Sequence, residues 1–226
     1  MGLDRLSAQF AGWLQHGAGL EQGDRVAVQM PNLIQYLVVC LGALRAGMVV
    51  VNTNPLYTER ELEHQLNDAN VKVMVVQANV AQTAAAVLPK TDVETVVVTE
   101  IADLHPEPKR TLINFLVKYV KRMVPAFSIP GALKLNAVLK AGAKTPYRAA
   151  ILNRDELAML QYTGGTTGQP KGVVSTHAQT LRVFRDWSEV VGLQAGDRYL
   201  IAMPFFHAFG YKAGWLACLM MGATVL

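Results

Sequence analysis

The sequence predicts an α/β fold, a mostly parallel β-sheet with helices on both of its faces. Two observations support this prediction. Short apolar runs of strand length alternate along the chain with longer amphipathic segments of helical length. Such alternation is typical of parallel sheets, because right-handed crossovers join parallel neighbours and leave helices on the faces. Hydrophobic residues make up 51% of the 226 residues, which provides a substantial core and excludes general disorder.

The N-terminal half supplies the clearest elements. The first residues, from Leu3 onward, already have the apolar spacing of a helix. We predict strands at residues 26–30, 48–52, 71–76 and 95–98. We predict helices between them at residues 32–45, 58–69 and 79–88. Thr58 and Glu61 have the spacing of a capping box, which supports the start of the second of these helices.

The alternation stops between residues 100 and 150, where the chain is rich in proline and basic residues. Prolines at positions 106, 108, 125, 130 and 146 punctuate two basic helical stretches. We expect a surface insertion within one domain, and a subdomain boundary is the alternative. Regularity then returns with strands at 157–163, 172–175 and 199–202 and helices at 177–191 and 214–221.

The densest basic patch lies on a predicted helix at residues 111–123. In helical projection four side chains share its apolar face: Leu112, Leu116, Tyr119 and Met123. The cations Lys118, Lys121 and Arg122 lie elsewhere. We favour packing of the apolar face on the protein's own core. The alternative is weak peripheral contact with an anionic membrane surface, made through the three cations.

Several protein classes are excluded by composition. Cys40 and Cys218 lie in apolar surroundings, which indicates buried thiols in a reducing cytosol. The five histidines have no metal-ligand spacing, so we expect no protein metal site. No signal peptide, membrane span or nucleic-acid-binding module is recognisable. We therefore expect a cytoplasmic protein without a nucleic-acid partner, with the inner membrane face as a possible peripheral location.

The string from Tyr162 to Gly172 carries the strongest chemical signal. It reads Tyr-Thr-Gly-Gly-Thr-Thr-Gly-Gln-Pro-Lys-Gly, with four glycines, three threonines and one lysine. Glycines let backbone N–H groups crowd around an anion, and hydroxyl and ammonium groups add donors. This combination predicts a phosphate-binding loop. The nucleotide loop G-x-x-x-x-G-K-[ST] does not fit, because two residues separate Gly168 from Lys171 and glycine follows the lysine.

This string closely resembles the phosphate-binding signature of the adenylate-forming enzymes, which include acyl-CoA synthetases, luciferases and peptide-synthetase adenylation domains. Gly164 stands where most members have serine, a form that resembles bacterial long-chain fatty acyl-CoA ligases. Residues 30–36 and 52–68 resemble the same ligases, and residues 203–210 resemble the family's Pro-aromatic-His motif. The resemblance covers essentially the whole chain.

The resemblance implies a two-step reaction with ATP, Mg²⁺ and coenzyme A. A carboxylate, here that of a fatty acid, attacks the α-phosphorus of ATP to give acyl-adenylate and pyrophosphate. The thiol of coenzyme A then displaces AMP. The loop would wrap the β- and γ-phosphates, and its roles divide by residue type. The hydroxyl donors would be Thr163, Thr166 and Thr167. Gly164, Gly165 and Gly168 would allow the backbone to approach the phosphates closely. Lys171 would pair with the phosphate charge.

The family's later motifs do not occur here: a Tyr-Gly-x-Thr-Glu segment that holds magnesium, a ribose-binding Asp and a C-terminal domain with a catalytic lysine. We therefore expect residues 1–226 to be part of the N-terminal AMP-binding domain, without the C-terminal domain and without full activity alone. The alternative is a non-catalytic nucleotide- or lipid-binding module. A phosphotransferase is disfavoured by the lysine spacing and by the lack of an Asp-rich metal site.

His207 is the candidate catalytic residue. It lies among three phenylalanines of the Pro-aromatic-His motif, which by resemblance would place it between the phosphate loop and the acyl pocket. The alternative is a core histidine that bonds a backbone carbonyl. We treat Trp187, Tyr211 and Trp215 as core residues, although they could line the acyl pocket. His177 directly follows a predicted strand, and we expect either a local capping or packing role or a contact with substrate.

The acyl substrate is left open by the sequence. Up to the glycine loop the chain resembles long-chain fatty acyl-CoA ligases. Residues 203–219 are more similar to ligases that act on other carboxylates, including ring-bearing propionates. A hybrid of two ligase subfamilies is therefore an alternative to a pure fatty-acid type.

Overall fold

A computed structural model of the chain describes residues 2–163 and 170–226. The helices in this part are α1 (Leu3–His16), α2 (Ile34–Arg45), α3 (Glu59–Asp68), α4 (Ala81–Val87), α5 (Lys109–Phe115), α6 (Leu135–Gly142), α7 (His177–Val191) and α8 (Ala217–Met221). The strands are β1 (Arg25–Gln29), β2 (Val49–Thr53), β3 (Val71–Gln77), β4 (Thr95–Thr99), β5 (Leu133–Lys134), β6 (Leu157–Thr163), β7 (Lys171–Thr176), β8 (Arg198–Tyr199) and β9 (Thr224–Val225). Every strand and helix predicted in the first hundred residues is present, with ends that differ by one or two residues.

Seven of these strands form one sheet in the order β5-β4-β3-β1-β2-β6-β7. All neighbouring pairs are parallel except β6 and β7, which are antiparallel. The short strands β8 and β9 pair separately, in parallel. The prediction of a mostly parallel sheet is confirmed. The antiparallel pair follows from the short connection between β6 and β7, which is too short for a crossover helix.

Helices cover both faces of the sheet, as predicted. Successive side chains of β1 point to opposite faces, so Val26 and Val28 belong to one hydrophobic cluster and Ala27 to the other. The helices α1, α2 and α6 contribute to the first cluster, and α3 and α4 contribute to the second. Burial of both faces explains why the strands are continuous valine-rich runs and do not alternate with polar residues.

The helix starts and ends follow local chemistry. The capping box at Thr58 is confirmed, since the Thr58 hydroxyl accepts the Glu61 N–H at 3.4 Å and the Glu61 carboxylate accepts the Thr58 N–H at 2.8 Å. A second capping box, formed by Thr176 and Gln179, starts α7 and was not predicted. Helix α7 ends at Gly192, whose φ of 67° is the left-handed conformation typical of a glycine helix end.

Residues 100–150 do not lie entirely at the surface. Strand β5 extends the sheet beside β4, and α6 packs against α1. A Cβ at Gly142 would lie 1.8 Å from the Gln9 carbonyl oxygen, so only glycine allows the two helices to approach this closely. Leu135 and Leu139 of α6 are buried in the first cluster. Helix α6, the second of the two predicted basic helical stretches, therefore contributes to the core.

The helix predicted at 111–123 is present, but the interpretation favoured from the sequence is wrong. It begins at Lys109 as α5 and continues as a π-helical turn at Leu116–Val120. Its predicted apolar face does not pack on the core, since Tyr119 is 59% exposed and Met123 is 56% exposed. The physical reason is that the helix contacts the rest of the protein through other side chains, among them Asn114, which accepts the Ala102 N–H at 3.0 Å.

The C-terminal part differs from prediction in two details. The strand predicted at 199–202 is only the pair Arg198–Tyr199, which lies parallel to β9. The helix predicted at 214–221 begins earlier, as a π-helical turn at Gly210–Leu216 that leads into α8. Within this turn Gly214 has non-helical backbone angles (φ −85°, ψ −107°), so the segment is kinked.

Candidate functional site

The candidate site lies at the edge of the sheet where the parallel strands end. Strands β1, β2, β3 and β6 run in the same direction. Their last residues are Gln29, Thr53, Gln77 and Thr163, so these residues mark one edge. Ligands of open α/β sheets bind beyond the carboxyl ends of the strands. The predicted phosphate loop leaves β6 at this edge.

Only the two ends of the predicted loop fall within the described residues. Thr163 and Lys171 are opposite each other, as the last pair of the antiparallel β6–β7 ladder. Both side chains are exposed. The other predicted loop residues, Gly164, Gly165, Thr166, Thr167 and Gly168, lie outside the described part. The pairing of β6 with β7 thus places Thr163, a predicted hydroxyl donor, and Lys171, the predicted cation, at the same end of the two strands.

Helix α3 holds the base of the loop in place. His64 donates a hydrogen bond from Nε2 to the Pro170 carbonyl at 2.9 Å, directly before β7. One turn further along α3, the Asp68 carboxylate accepts a hydrogen bond from the Tyr162 hydroxyl. Burial, and secondly this bond to Asp68, raise the pKa of Tyr162. The two strands on either side of the loop are therefore both tied to one helix.

Gly172 is needed for the close packing of the loop base. A Cβ at this position would lie 3.0 Å from Cζ of Tyr162 and 3.1 Å from its hydroxyl oxygen. A Cβ here would be closer to the Tyr162 ring than ordinary side-chain packing allows, so the ring would have to shift by a few tenths of an ångström. The final glycine of the sequence motif therefore has a packing role, distinct from anion binding.

A buried polar network fixes the end of β6 relative to β2. Tyr36 donates its hydroxyl proton to the Asn52 side-chain oxygen, and Asn52 Nδ2 donates to Gln161 Oε1 at 3.0 Å. Gln65 of α3 donates to the Asn52 carbonyl at 2.9 Å. Burial is the main reason that the pKa of Tyr36 lies well above its ordinary value. Buried polar groups with such partners specify one register of the strands.

His207 is exposed, contrary to the alternative of a buried core histidine. Its Nδ1 accepts the Phe209 backbone N–H at 3.4 Å, which leaves the Nε2 proton directed away from this contact. The turn is fixed by Asn32, which accepts the Phe205 N–H at 2.6 Å and donates to the Met203 carbonyl at 3.0 Å. Two stretches that carried the family resemblance therefore meet here.

The predicted aromatic residues divide between core and surface. Tyr211 and Trp215 are buried, as predicted, and both stack edge-on against Tyr36. Trp187 is only partly buried and packs edge-on against Phe209, with ring centroids 5.0 Å apart. This pair places Trp187 of α7 beside the His207 turn.

Lys212 and His177 are two further polar groups of this region. Lys212 donates to the Ser175 hydroxyl at 2.8 Å, which links the His207 segment to β7, and burial lowers its pKa. Burial also lowers the pKa of His177, although Glu156 opposes this. His177 is the first residue of α7, and its N–H donates to the Glu156 carbonyl at 3.0 Å, which fits the local packing role.

Four residues of this site were not assigned roles from the sequence: Asn32, His64, Asp68 and Lys212. The first three lie in stretches that carried the family resemblance, so a signal was present, but their partners are 94 to 173 residues away along the chain. The described residues include no group of three His, Cys, Asp or Glu side chains that could hold a metal ion. Within residues 2–163 and 170–226, no helix has the length and hydropathy to cross a membrane.

Comparison with known proteins decides the family. A family model described as AMP-binding enzyme matches residues 2–226. The chain belongs to the AMP-binding enzyme family. Its adenylate-forming fold is also that of a solved long-chain-fatty-acid-CoA ligase from Archaeoglobus fulgidus, with a TM-score of 0.76 at 26% identity, covering 99% of this chain and 38% of that chain. The anthranilate CoA ligase AuaEII shows the same fold, with a TM-score of 0.81 at 21% identity, over 99% of this chain and 39% of that chain.

Relatives within the AMP-binding family include ligases of two substrate types. The long-chain-fatty-acid–CoA ligase of Escherichia coli O157:H7 is 44% identical over 227 residues, which cover 99% of this chain and 40% of that protein. A Rhodococcus jostii CoA ligase named for a propanoyl group on a methyl-dioxo-octahydroindene ring is 33% identical over 209 residues, 90% of this chain and 38% of that protein. The chain therefore spans about 40% of the length of the curated relatives it matches.

Proposed function

We propose that this chain binds the phosphates of ATP in an enzyme that activates a carboxylic acid, of fatty-acid type, to acyl-adenylate and then to acyl-CoA. Residues 1–226 would form part of the N-terminal AMP-binding domain. The observation that carries the proposal is the loop base. Thr163 and Lys171 lie side by side at the carboxyl edge of the sheet, with the strands behind them tied to α3.

The loop would act on the pyrophosphate half of ATP. When the carboxylate attacks the α-phosphorus, the bond to the bridging oxygen breaks and negative charge grows on the departing pyrophosphate. The Lys171 ammonium group and the Thr163 hydroxyl would stabilise this charge. Glycines 164, 165 and 168 and the hydroxyls of Thr166 and Thr167 would complete the cradle. Because α3 fixes both strands, these donors would be preorganised before the charge develops.

The exposed imidazole of His207 would contact the carboxylate. Its Nδ1 accepts a backbone N–H, so Nε2 carries the proton in the neutral ring and can donate a hydrogen bond to a carboxylate oxygen. This contact would orient the attacking oxygen, and no general-base role is assigned to it. Mg²⁺ would neutralise phosphate charge in this reaction. No ligand for it is assigned among the described residues, which contain no suitable cluster.

Two observations bear on the partners of the proposed enzyme. The 44% identity to a long-chain-fatty-acid–CoA ligase supports a fatty acid as substrate, with coenzyme A as the second acceptor. The relative that acts on a ring-bearing propanoate makes such an acid the second candidate. We also propose weak peripheral contact with a membrane through Lys118, Lys121 and Arg122, because the apolar side chains around them are exposed.

Thermal unfolding with and without Mg-ATP tests the phosphate-binding proposal. A ligand at about 100 times its Kd stabilises the folded state by about 2.7 kcal/mol. The shift should appear in the wild type and in Lys144→Ala, an exposed lysine outside the site, and should shrink in Lys171→Ala. A cooperative transition that ATP does not move would contradict the proposal.

A further inference from the structure

The helical segment formed by α5, the π-helical turn and the three residues after it, residues 109–123, exposes an unusual amount of apolar surface. Its six large exposed apolar side chains are between 40% and 60% exposed: Leu112, Phe115, Leu116, Tyr119, Val120 and Met123. We call these residues the apolar face. The segment is attached to the rest of the protein by hydrogen bonds of Asn114, which accepts the Ala102 N–H at 3.0 Å and donates to Asp103 at 3.2 Å, and of the Met123 carbonyl, which accepts from Asn79 at 2.9 Å. Its side chains Ile113 and Val117 are partly buried.

The charge of the segment is of one sign. Residues 109–123 contain five cations and no acidic residue: Lys109, Arg110, Lys118, Lys121 and Arg122. Only Arg110 forms an ion pair within the described part of the chain, and its partner Glu107 precedes the segment. An exposed apolar face bordered by unpaired cations is complementary to a surface that is apolar beneath and anionic above.

Helix α7 provides an internal comparison. It also exposes large apolar side chains, including Leu181 at 47% and Val190 at 80%. Its two arginines are balanced by two acids, and Arg182 pairs with Asp186 at 3.5 Å. Exposed apolar side chains are therefore found on both α7 and the segment at 109–123, but of these two only the segment carries a surplus of positive charge.

A groove beside the segment adds cations at a fixed position. It has a volume of about 430 Å³, and Lys118, Lys134 and Lys140 line it. None of these lysines forms an ion pair within the described residues. Three acids also line the groove: Glu100, Asp103 and Glu107. Glu107 pairs with Arg110, and Asp103 accepts three hydrogen bonds, from Thr99, the Glu100 N–H and Asn114.

We propose that residues 109–123 dock on a bilayer of anionic phospholipid. The apolar face lies at the boundary between headgroups and acyl chains, and the lysines of the groove bind lipid phosphates. This inference deepens the peripheral contact proposed above and gives it a defined surface. It does not depend on nucleotide binding, because the proposed phosphate site is formed by β6, β7 and α3, and residues 109–123 belong to none of these elements. A fatty-acid substrate would be concentrated in the same bilayer.

Co-sedimentation with vesicles tests the charge component. The chain should bind vesicles of phosphatidylcholine and phosphatidylglycerol, and binding should weaken as salt is added. Each cation near an anionic surface strengthens binding by about five-fold, so Lys118→Gln with Lys121→Gln should weaken it roughly 30-fold. The matched control is Arg182→Gln with Arg185→Gln on α7, which should bind like the wild type.

The apolar component needs its own variants. Phe115→Ser with Val120→Ser should abolish most binding, whereas Leu181→Ser with Val190→Ser on α7 should not change it. An environment-sensitive dye on Val120→Cys should report an apolar surrounding when anionic vesicles are added, and the same dye on Val190→Cys should not.

Three results would overturn the inference: equal binding to neutral phosphatidylcholine vesicles, unchanged binding of the segment variants, or equal loss in the α7 controls. Far-ultraviolet circular dichroism and the Mg-ATP shift, measured on each variant, show that it is folded. A wild-type chain that shows the ATP shift but does not bind anionic vesicles contradicts the lipid surface alone. A chain that binds vesicles without an ATP shift contradicts the proposed function alone.

Discussion

The hydrogen bond between Tyr162 and Asp68 allows a direct test of the loop base. Tyr162→Phe removes only the hydroxyl group and keeps the ring that packs against Gly172. A hydrogen bond to a charged group contributes about 1.5–3 kcal/mol, and the exposed position of Asp68 places this one at the lower end. We therefore expect Tyr162→Phe to lower the free energy of unfolding by about 1.5 kcal/mol.

Urea and thermal unfolding measure this loss. In a chain of this length 1 kcal/mol corresponds to about 2–4 °C, so the melting temperature should fall by roughly 3–6 °C. Tyr57→Phe is the matched control, because Tyr57 is a half-buried tyrosine of the same cluster for which no side-chain hydrogen bond is seen among the described residues. It should change stability by less than about 0.5 kcal/mol.

A double-mutant cycle isolates the interaction from other effects of the substitution. Asp68→Asn combined with Tyr162→Phe should give a coupling energy of about 1 kcal/mol. Tyr162→Phe should also reduce the stabilisation by Mg-ATP, because the strand that leads into the loop is no longer tied to α3. A coupling energy near zero together with an unchanged ATP shift would refute the reasoning that α3 positions the loop.

The remaining predictions concern the core, the helix starts and pH. Leu139→Ala should cost about 2–5 kcal/mol in urea unfolding because it opens a cavity between α6 and α1, whereas Ile151→Ala, at a position 94% exposed, should be nearly neutral. Thr58→Ala should cost about 1 kcal/mol, measured in the same way, because α3 loses its capping box. Burial raises the pKa of Tyr36 above 10.0 in the folded state, so its contribution to stability is complete below pH 10 and is lost as the pH rises further. Above pH 10 the free energy of unfolding should therefore fall less steeply with pH in Tyr36→Phe than in the wild type. An equal slope in the two proteins would contradict a raised pKa of Tyr36.

Much of the fold could be predicted because local signals and tertiary structure agree. The valine-rich strands are buried on both faces, so their hydrophobicity is continuous and easily recognised. Thr58 and Glu61 are three residues apart, and a capping box needs nothing else. The prediction of a phosphate-binding loop also depends on a local pattern, since one string of eleven residues contains all of it, but residues 164–169 lie outside the described part of the chain.

The parts that could not be predicted depend on distant partners. The apolar residues of 109–123 have the spacing of an ordinary core-facing helix, and only the folded structure shows that they are exposed. Asn32 and His64 lie in stretches that carry the family resemblance, but their partners are more than a hundred positions away, so the local sequence does not show which contacts they make. The packing of α6 on α1 likewise depends on a close approach at Gly142, which resembles any other glycine in the sequence.

The central claim is that the loop between β6 and β7 binds the pyrophosphate half of ATP. Calorimetric titration with ATP, pyrophosphate and AMP at equal magnesium concentration tests it most directly. We predict that ATP and pyrophosphate bind more tightly than AMP, and that Lys171→Ala removes roughly 10- to 100-fold of that preference, as expected for a charge-assisted contact. Equal affinities for ATP and AMP, or a preference that survives Lys171→Ala, would contradict the account.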